Sequence, residues 1–177
     1  MHFFPLLFSC LLLLQAPPAG PALLSGTAVR IADGDTFTLL TPGNTTHRIR
    51  LNAIDAPEKK QDYYRVSKAA LGNILAGKTI RVAVTGSDRY GRLLANVYTP
   101  GNDSTVNLRL VSAGLAWHFT RYSKDPVLAQ AEQNAKAQQR GLWQQPHPVA
   151  PWEFRAAARQ GTKKQALKKT NTAALLQ

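Results

Sequence analysis

The chain of 177 residues has a single cysteine, Cys10, and only ten carboxylate side chains against 22 lysines and arginines. One thiol excludes an internal disulfide framework and a cysteine-ligated zinc site, so the folded part relies on packing. The four histidines, His2, His47, His118 and His147, are dispersed without zinc-ligand spacing, which argues against a histidine-held metal centre. Neither a Gly-x-Ser-x-Gly elbow nor a P-loop occurs. The apolar run from Phe3 to Leu14 is shorter than the roughly 20 residues of a membrane-spanning helix. The 12 glycines and 11 prolines follow no period, which excludes a collagen-like rod. A hydrophobic fraction of 44% with 18% charged residues is ordinary globular usage and excludes disorder along the whole chain.

What is abundant is positive charge. A formal net charge of +12 makes polyanions the expected partners, with plain solubility or retention on an acidic cell surface as the alternatives. None of that charge lies in residues 1–25, which contain no Asp, Glu, Lys or Arg. There an apolar core is followed by small and Pro-rich residues, and residues 1–22 read as a secretory signal peptide of a secreted or periplasmic protein. An uncleaved N-terminal anchor is the alternative, because the α-amino group and His2 stand where Lys or Arg is usual. At the other end, Arg155, Arg159, Lys163, Lys164, Lys168 and Lys169 against Glu153 carry +5 of the +12. Residues 146–177 read as a Pro-rich and then basic C-terminal extension, flexible, that either grips phosphates non-specifically or is a solvated tail. Trp143 and Trp152, which flank the Pro-rich stretch, read as anchors of the chain end.

Between these ends lies one domain, residues 26–145. Thr27 to Ala32, Thr36 to Leu40 and His47 to Ile54 have strand patterning, as do Lys78 to Val84 and Arg92 to Tyr98. Helices are expected at Ser67 to Ala76, at Val106 to Ala113 and at Val127 to Arg140. Asp125 is placed as the N-cap of the last, Pro126 as its first residue, and Gly141 closes it. The fold class is α+β, mainly β: a five-stranded barrel capped by three helices.

Because carboxylates are scarce, their grouping is informative. Asp33-Gly34-Asp35 marks a tight turn that can aim an oxygen into a site, although Asp-Gly also marks ordinary turns. In Ile54-Asp55-Ala56-Pro57-Glu58 the proline fixes a backbone dihedral and holds Asp55 and Glu58 in a rigid relation. A hard cation such as Ca²⁺ takes several oxygen ligands, and Asp35, Asp55 and a backbone carbonyl supply part of such a set. On the strand His47 to Ile54, Arg48, Arg50 and Asn52 share one face and Ile49, Leu51 and Ala53 the other. A turn at Ser87 to Gly91 delivers Arg92 to the next strand. Two guanidiniums near carboxylates and a cation suit a phosphodiester, while salt bridges to Asp33 or Asp88 are the structural alternative.

In order, Asp33-Gly34-Asp35-Thr36, Arg48-Ile49-Arg50-Leu51, Ile54-Asp55-Ala56-Pro57-Glu58 and Asp88-Arg89-Tyr90-Gly91-Arg92 resemble the signature blocks of the staphylococcal nuclease (thermonuclease) family. Gly114-Leu115-Ala116 and Gly141-Leu142-Trp143 extend the resemblance over Thr27 to Trp143. It implies an OB-fold barrel and a Ca²⁺-dependent endonuclease that cuts DNA and RNA to 3′-phosphate products as a monomer. It implies Asp35, Asp55 and the backbone carbonyl of Ala56 as Ca²⁺ ligands, Ala56 standing where the family commonly has Thr. Arg50, Glu58 and Arg92 match the catalytic trio. Asp33 lies beside the metal behind its ligands, or serves an ordinary Asp turn, and Tyr90 and Tyr122 match regions that hold the nucleotide. The segment between Glu58 and Arg92 is shorter than in the secreted staphylococcal type, and Thr120 stands where an aromatic is expected. Tyr63, Tyr64, Trp117, Phe119 and Tyr122, interleaved with Lys60, Arg65, His118 and Arg121, offer stacking to a single strand; Trp117 and Phe119 are assigned to packing. The rival reading is a catalytically silent OB-fold module that binds nucleic acid.

Overall fold

A computed structural model of the chain describes residues 22–161. The signal peptide expected over residues 1–22, all but its last residue, and the end of the basic extension from residue 162 lie outside the described residues. Five strands close into a barrel: β1 (Leu23–Ile31), β2 (Thr36–Thr41), β3 (Thr45–Leu51), β5 (Thr79–Ser87) and β6 (Leu93–Tyr98), in the order β1-β2-β3-β6-β5. Neighbours are antiparallel except β3 and β6, which run parallel, and β1 pairs with β5 to complete the ring. The five-stranded barrel is the one that the strand pattern and the OB-fold expectation call for; the parallel pairing of β3 and β6 is a feature that the strand pattern does not reveal.

The barrel is filled by alternation. Phe37 and Leu39 of β2, Ile49 and Leu51 of β3, Ile80 and Val82 of β5, and Ala95 and Val97 of β6 are all buried. Helix α1 (Tyr64–Leu75) adds Leu71 and Leu75 to the same core, and α2 (Val106–Ser112) adds Val106, Leu110 and Val111. Burial of each Leu or Ile side chain contributes about 1.5–3 kcal/mol, so the one-sided patterning of β2 and β3 is what holds their opposite faces, and the polar side chains on them, in register.

Helix α3 (Pro126–Ala137) begins as expected. The Asp125 carboxylate accepts from the Val127 N–H at 2.8 Å and, more weakly, from that of Leu128 at 3.4 Å. It ends before Arg140 because Gln139 turns left-handed, with φ 48°, and the Arg140 N–H reaches back to the Ala135 carbonyl. A short 3₁₀ turn follows at Gly141–Gln144. Gly114 (φ 66°) and Gly141 (φ 53°) meet there backbone to backbone, and the Leu142 N–H donates to the Gly114 carbonyl at 2.8 Å. A Cβ on Gly114 would stand 2.1 Å from the Arg140 carbonyl oxygen, at a φ that side chains rarely adopt. Gly114→Ala is therefore expected to destabilise the protein by about 3 kcal/mol, read as a lowered urea midpoint; unchanged stability would show that this clasp is not a constraint.

Besides the early end of α3, three elements differ from the expected pattern. The strand expected over His47 to Ile54 breaks at Ala53, which turns left-handed with φ 63°. The break is held from both sides: the Asn52 N–H donates to the Ala95 carbonyl, and the Asn107 amide to the Asn52 carbonyl. Ile54–Asp55 thereby leaves the barrel as β4 and pairs with β7 (Trp117–His118) in a separate two-stranded sheet. Helix α1 starts at Tyr64, earlier than Ser67, from a left-handed Tyr63. Residues 151–161, expected to be flexible, form a fourth helix, α4. Pro151 takes its first position, and the Trp152 ring stacks on Phe119 at 5.0 Å and meets Trp117 edge-on at 5.6 Å. Among the described residues no helix is long and apolar enough to cross a membrane.

Candidate active site

The turn between β1 and β2 carries the first carboxylates. The Asp33 carboxylate accepts the Asp35 N–H at 3.0 Å, which fixes the turn locally. Gly34 is required there by crowding: a Cβ would stand 2.8 Å from both the Ala56 and the Ser67 side chains. Asp35 is thus pressed against the segment after β4. One of its oxygens, Oδ2, accepts the Ala56 N–H at 2.9 Å; Oδ1 accepts the Thr36 hydroxyl at 2.9 Å and the Arg50 guanidinium at 2.6 Å.

Strand pairing brings Arg50 to this point. Arg50 lies opposite Thr36 in the β2·β3 register, on the face away from Ile49 and Leu51. Its guanidinium donates to Asp35 Oδ1, to Asp55 Oδ1 at 2.9 Å and to the Ile54 carbonyl at 3.2 Å. It therefore spans two carboxylates that are each almost fully buried, Asp35 at 3% and Asp55 at 1% exposure. The sequence alternative, a salt bridge from Arg50 to Asp33, is replaced by pairing with Asp35 and Asp55. Arg92 does make the alternative pairing: its Nε donates to Asp88 Oδ2 at 2.8 Å, while Nη1 makes a long contact of 3.4 Å with the Thr36 hydroxyl. Thr36 in turn touches Asp35, so Arg92 joins the same network through one hydroxyl.

Glu58 stands at the rim, its side chain 38% exposed. Its N–H is tied to the Gln61 side chain at 2.9 Å. Its carboxylate accepts from Arg155 of α4 at 2.5 Å, and the same guanidinium donates to Asp55 Oδ2 at 2.6 Å and Oδ1 at 3.2 Å. In the sequence Arg155 counts only among the charges of the C-terminal extension and carries no site role. It lies 97 positions from Glu58, in a stretch whose charge read as a tail. The signal that marks it is Pro151 opening a helix with Trp152 and Arg155 at i, i+3 spacing on one face.

Burial and neighbouring charge together set the protonation of these groups. Burial pushes the Asp35 carboxyl up, but Arg50 and the hydrogen bonds from Ala56 and Thr36 outweigh it and hold Asp35 below the usual value. Burial leaves Asp55 above the ordinary value in spite of Arg155 and Arg50, with the Asp35 charge adding to the rise. Asp33 is raised from 3.8 to about 6 by burial and by the neighbouring Asp35. Unfolded Asp33 releases its proton near 3.8 and folded Asp33 near 6, so between those values the folded state holds the extra proton and stability falls as pH rises. In chelator, Asp33→Asn is expected to flatten the fall in Tm across this window while keeping the turn, since the amide oxygen still accepts the Asp35 N–H. An unchanged slope would place the titration elsewhere.

The donor set suits a hard cation. Two buried carboxylates lie within the span of one guanidinium, Asp55 and Glu58 already hold a second cationic group, and Ala56 adds backbone beside Asp35. Among the described residues no group of three or more His, Cys, Asp or Glu side chains is set to hold a metal ion by itself. Carbonyl oxygens and water would have to complete the six to eight ligands typical of Ca²⁺.

Tyr90 and Tyr122, the sequence candidates for nucleotide contact, are 62% and 71% exposed. Tyr90 lies under the guanidiniums of Arg89 and Arg92, at 4.8 and 5.7 Å. Tyr122 packs edge-on against Phe119 at 4.8 Å, on the side where Trp152 docks. Trp117 and Phe119 are packing residues, as expected: Trp117 meets Trp143 at 4.3 Å, and Phe119 carries Trp152.

Residues 48–145 match the family model of staphylococcal nuclease homologues. An uncharacterised endonuclease of Escherichia coli O157:H7 is 46% identical over 132 residues, covering 75% of this chain and 85% of its own length. A second, from Haemophilus influenzae, is 44% identical over 127 residues, covering 72% of this chain and 70% of its own. A probable staphylococcal-like nuclease of Oryza sativa subsp. japonica is 40% identical over 116 residues, covering 66% of this chain and 34% of its own.

Proposed function

The chain belongs to the staphylococcal nuclease family and is a nuclease; from that premise we propose that it is a Ca²⁺-dependent endonuclease that cuts DNA and RNA and leaves 3′-phosphate ends. The observation that carries the reading is the single network running from Arg92 through Thr36, Asp35, Arg50, Asp55 and Arg155 to Glu58. Asp35, Asp55 and the Ala56 carbonyl would hold the cation. Bound there, it would supply Lewis-acid neutralisation of a phosphoryl oxygen.

The remaining chemistry belongs to side chains. Exposed at the rim, Glu58 takes a proton from a water as that water forms its bond to phosphorus. The P–O5′ bond breaks in line, and the 5′-oxygen leaves as a hydroxyl once protonated by solvent. Arg50 is fixed by three contacts that use three of its five N–H groups, so the guanidinium is positioned before the substrate arrives. Arg92, restrained by Asp88, offers a second guanidinium to the charge that accumulates on the phosphoryl oxygens. Asp33 holds the Asp35 turn, and Tyr90 and Tyr122 present ring faces to bases. A signal peptide over residues 1–22 would send the enzyme to the periplasm or the medium.

Product ends test the chemistry. Mass spectrometry of oligonucleotides released from denatured DNA by Ca²⁺-loaded protein should show 3′-phosphate and 5′-hydroxyl termini. Products with 5′-phosphates would contradict the assigned direction of attack, and binding without cleavage would favour the silent binding module. N-terminal sequencing of the exported protein reads the signal cleavage directly.

A further inference from the structure

Arg155 occupies the position from which both Asp55 and Glu58 are reached, and nothing in the barrel motifs assigns it a role. It makes three contacts with these two carboxylates, at 2.5, 2.6 and 3.2 Å. Bidentate guanidinium–carboxylate pairs are among the stronger charge-assisted contacts, and one partner here, Asp55, is 1% exposed. While Arg155 holds Oε1 of Glu58, that oxygen is not available to take a proton from water. While it holds both oxygens of Asp55, the carboxylate is already neutralised by a cation of the chain's own.

Arg155 is carried by helix α4, which lies outside the barrel. Helix α4 is joined to the domain through the segment Gln145 to Ala150, which contains Pro146 and Pro148. It is pinned by the Trp152 ring, which stacks on Phe119 and meets Trp117 edge-on, and by the Gln61 side chain on the Val149 carbonyl at 2.9 Å. A cleft of about 240 Å³ lined by Pro57, Lys60, Gln61, His147 and Phe154 lies beside it. The Arg155 side chain itself is 33% exposed, which leaves it a route outward to solvent or to a phosphate.

We propose that Arg155 is a further positioning residue of the active site, a built-in counter-cation that holds Asp55 and Glu58 in the metal-free protein and is displaced when a divalent cation binds. The inference rests on the calcium reading of the site and deepens it. Competition follows from the shared ligand: Asp55 Oδ1 already accepts from Arg50 and Arg155 and Oδ2 accepts from Arg155, so an incoming cation meets an occupied carboxylate and the positive charge of the seated Arg155, and apparent affinity falls as the seated fraction rises. Loading the site therefore frees the base and loosens α4 together.

Calorimetric titration of the purified protein with Ca²⁺ alone tests this without reference to activity. Arg155→Ala is expected to bind Ca²⁺ about tenfold more tightly than wild type, as for a seated fraction of about nine-tenths. Arg155→Lys keeps the charge without the fork and should fall between them. Arg159→Ala removes the same charge one turn along α4 and should stay within about twofold of wild type, which separates competition from diffuse electrostatics. Alanine favours the helix, so the substitution leaves α4 able to form, and circular dichroism checks the fold. In wild type, hydrogen exchange of residues 151–161 should accelerate when Ca²⁺ is added. Equal, measurable affinity of wild type and Arg155→Ala, or unchanged exchange in α4, overturns this proposal alone. Absence of Ca²⁺ binding by both proteins overturns it together with the calcium reading.

Discussion

Replacing Arg50 by lysine is expected to lower kcat by roughly a hundred- to a thousandfold, the range for loss of a preorganised charge donor. Replacing it by alanine is expected also to destabilise the fold. The guanidinium spans Asp35 at 2.6 Å and Asp55 at 2.9 Å and touches the Ile54 carbonyl as well. A lysine ammonium is a point charge and cannot hold both carboxylates while presenting donors to a phosphate. Removing the charge altogether leaves two buried carboxylates sharing a site, and loss of one partner from a buried ion pair costs about 3–5 kcal/mol. The local fields agree: burial disfavours the charged form of Arg50, but Asp35 and Asp55 more than compensate and hold it firmly protonated. Thermal melts in chelator and single-turnover cleavage at saturating Ca²⁺ read the two effects separately. If Arg50→Ala melted with wild type, the network would not be the support of the site described above.

Glu58→Gln is expected to lower kcat by about a hundred- to ten-thousandfold, the usual contribution of a positioned general base, with almost no effect on stability. The contrast with Arg50 follows from exposure. Glu58 lies at the rim with its side chain 38% exposed, so its ion pair with Arg155 is largely screened and is worth less than about 1 kcal/mol to the fold. Glutamine keeps the shape and the backbone tie to Gln61, which involves the main-chain N–H. The loss should therefore appear in the single-turnover rate at saturating substrate, with Tm within a degree or two of wild type for an effect of that size. A variant that lost Tm and rate together would point to Glu58 as a structural residue instead.

Much of this site could be read from the residues because it depends on short-range geometry. Alternation along β3 put Arg50 opposite Ile49 and Leu51, and the strand is observed with that alternation. Asp33-Gly34-Asp35 forms the tight turn its composition implies, and the Gly is forced by contact with Ala56 and Ser67. The proline after Ala56 keeps Asp55 and Glu58 close enough to share one guanidinium.

What escaped the sequence depends on contacts between distant segments. A two-residue strand such as Ile54–Asp55 has no period to detect, and it exists because Trp117–His118 pairs with it. The left-handed Ala53 that releases it from the barrel is set by Asn107 and Ala95, not by its own preference. Helix α4 is masked by composition: its arginines resemble the basic residues that follow, and the faint signal of Pro151 and Trp152 gains meaning only from the seat for Trp152 on Phe119. Part of the positive charge of the C-terminal extension is therefore charge at the candidate site, since Arg155 pairs with Asp55 and Glu58 directly.

Whether Asp35, Asp55 and Glu58 make this barrel the proposed cation-dependent endonuclease is decided by a circular single-stranded DNA. A circle has no ends, so any linear product reports an internal cut. Wild-type protein should linearise and then degrade the circle with Ca²⁺ and leave it intact in excess chelator, while Glu58→Gln should leave it largely intact with Ca²⁺. An intact circle under wild type with Ca²⁺, or equal cutting by Glu58→Gln, would contradict the account.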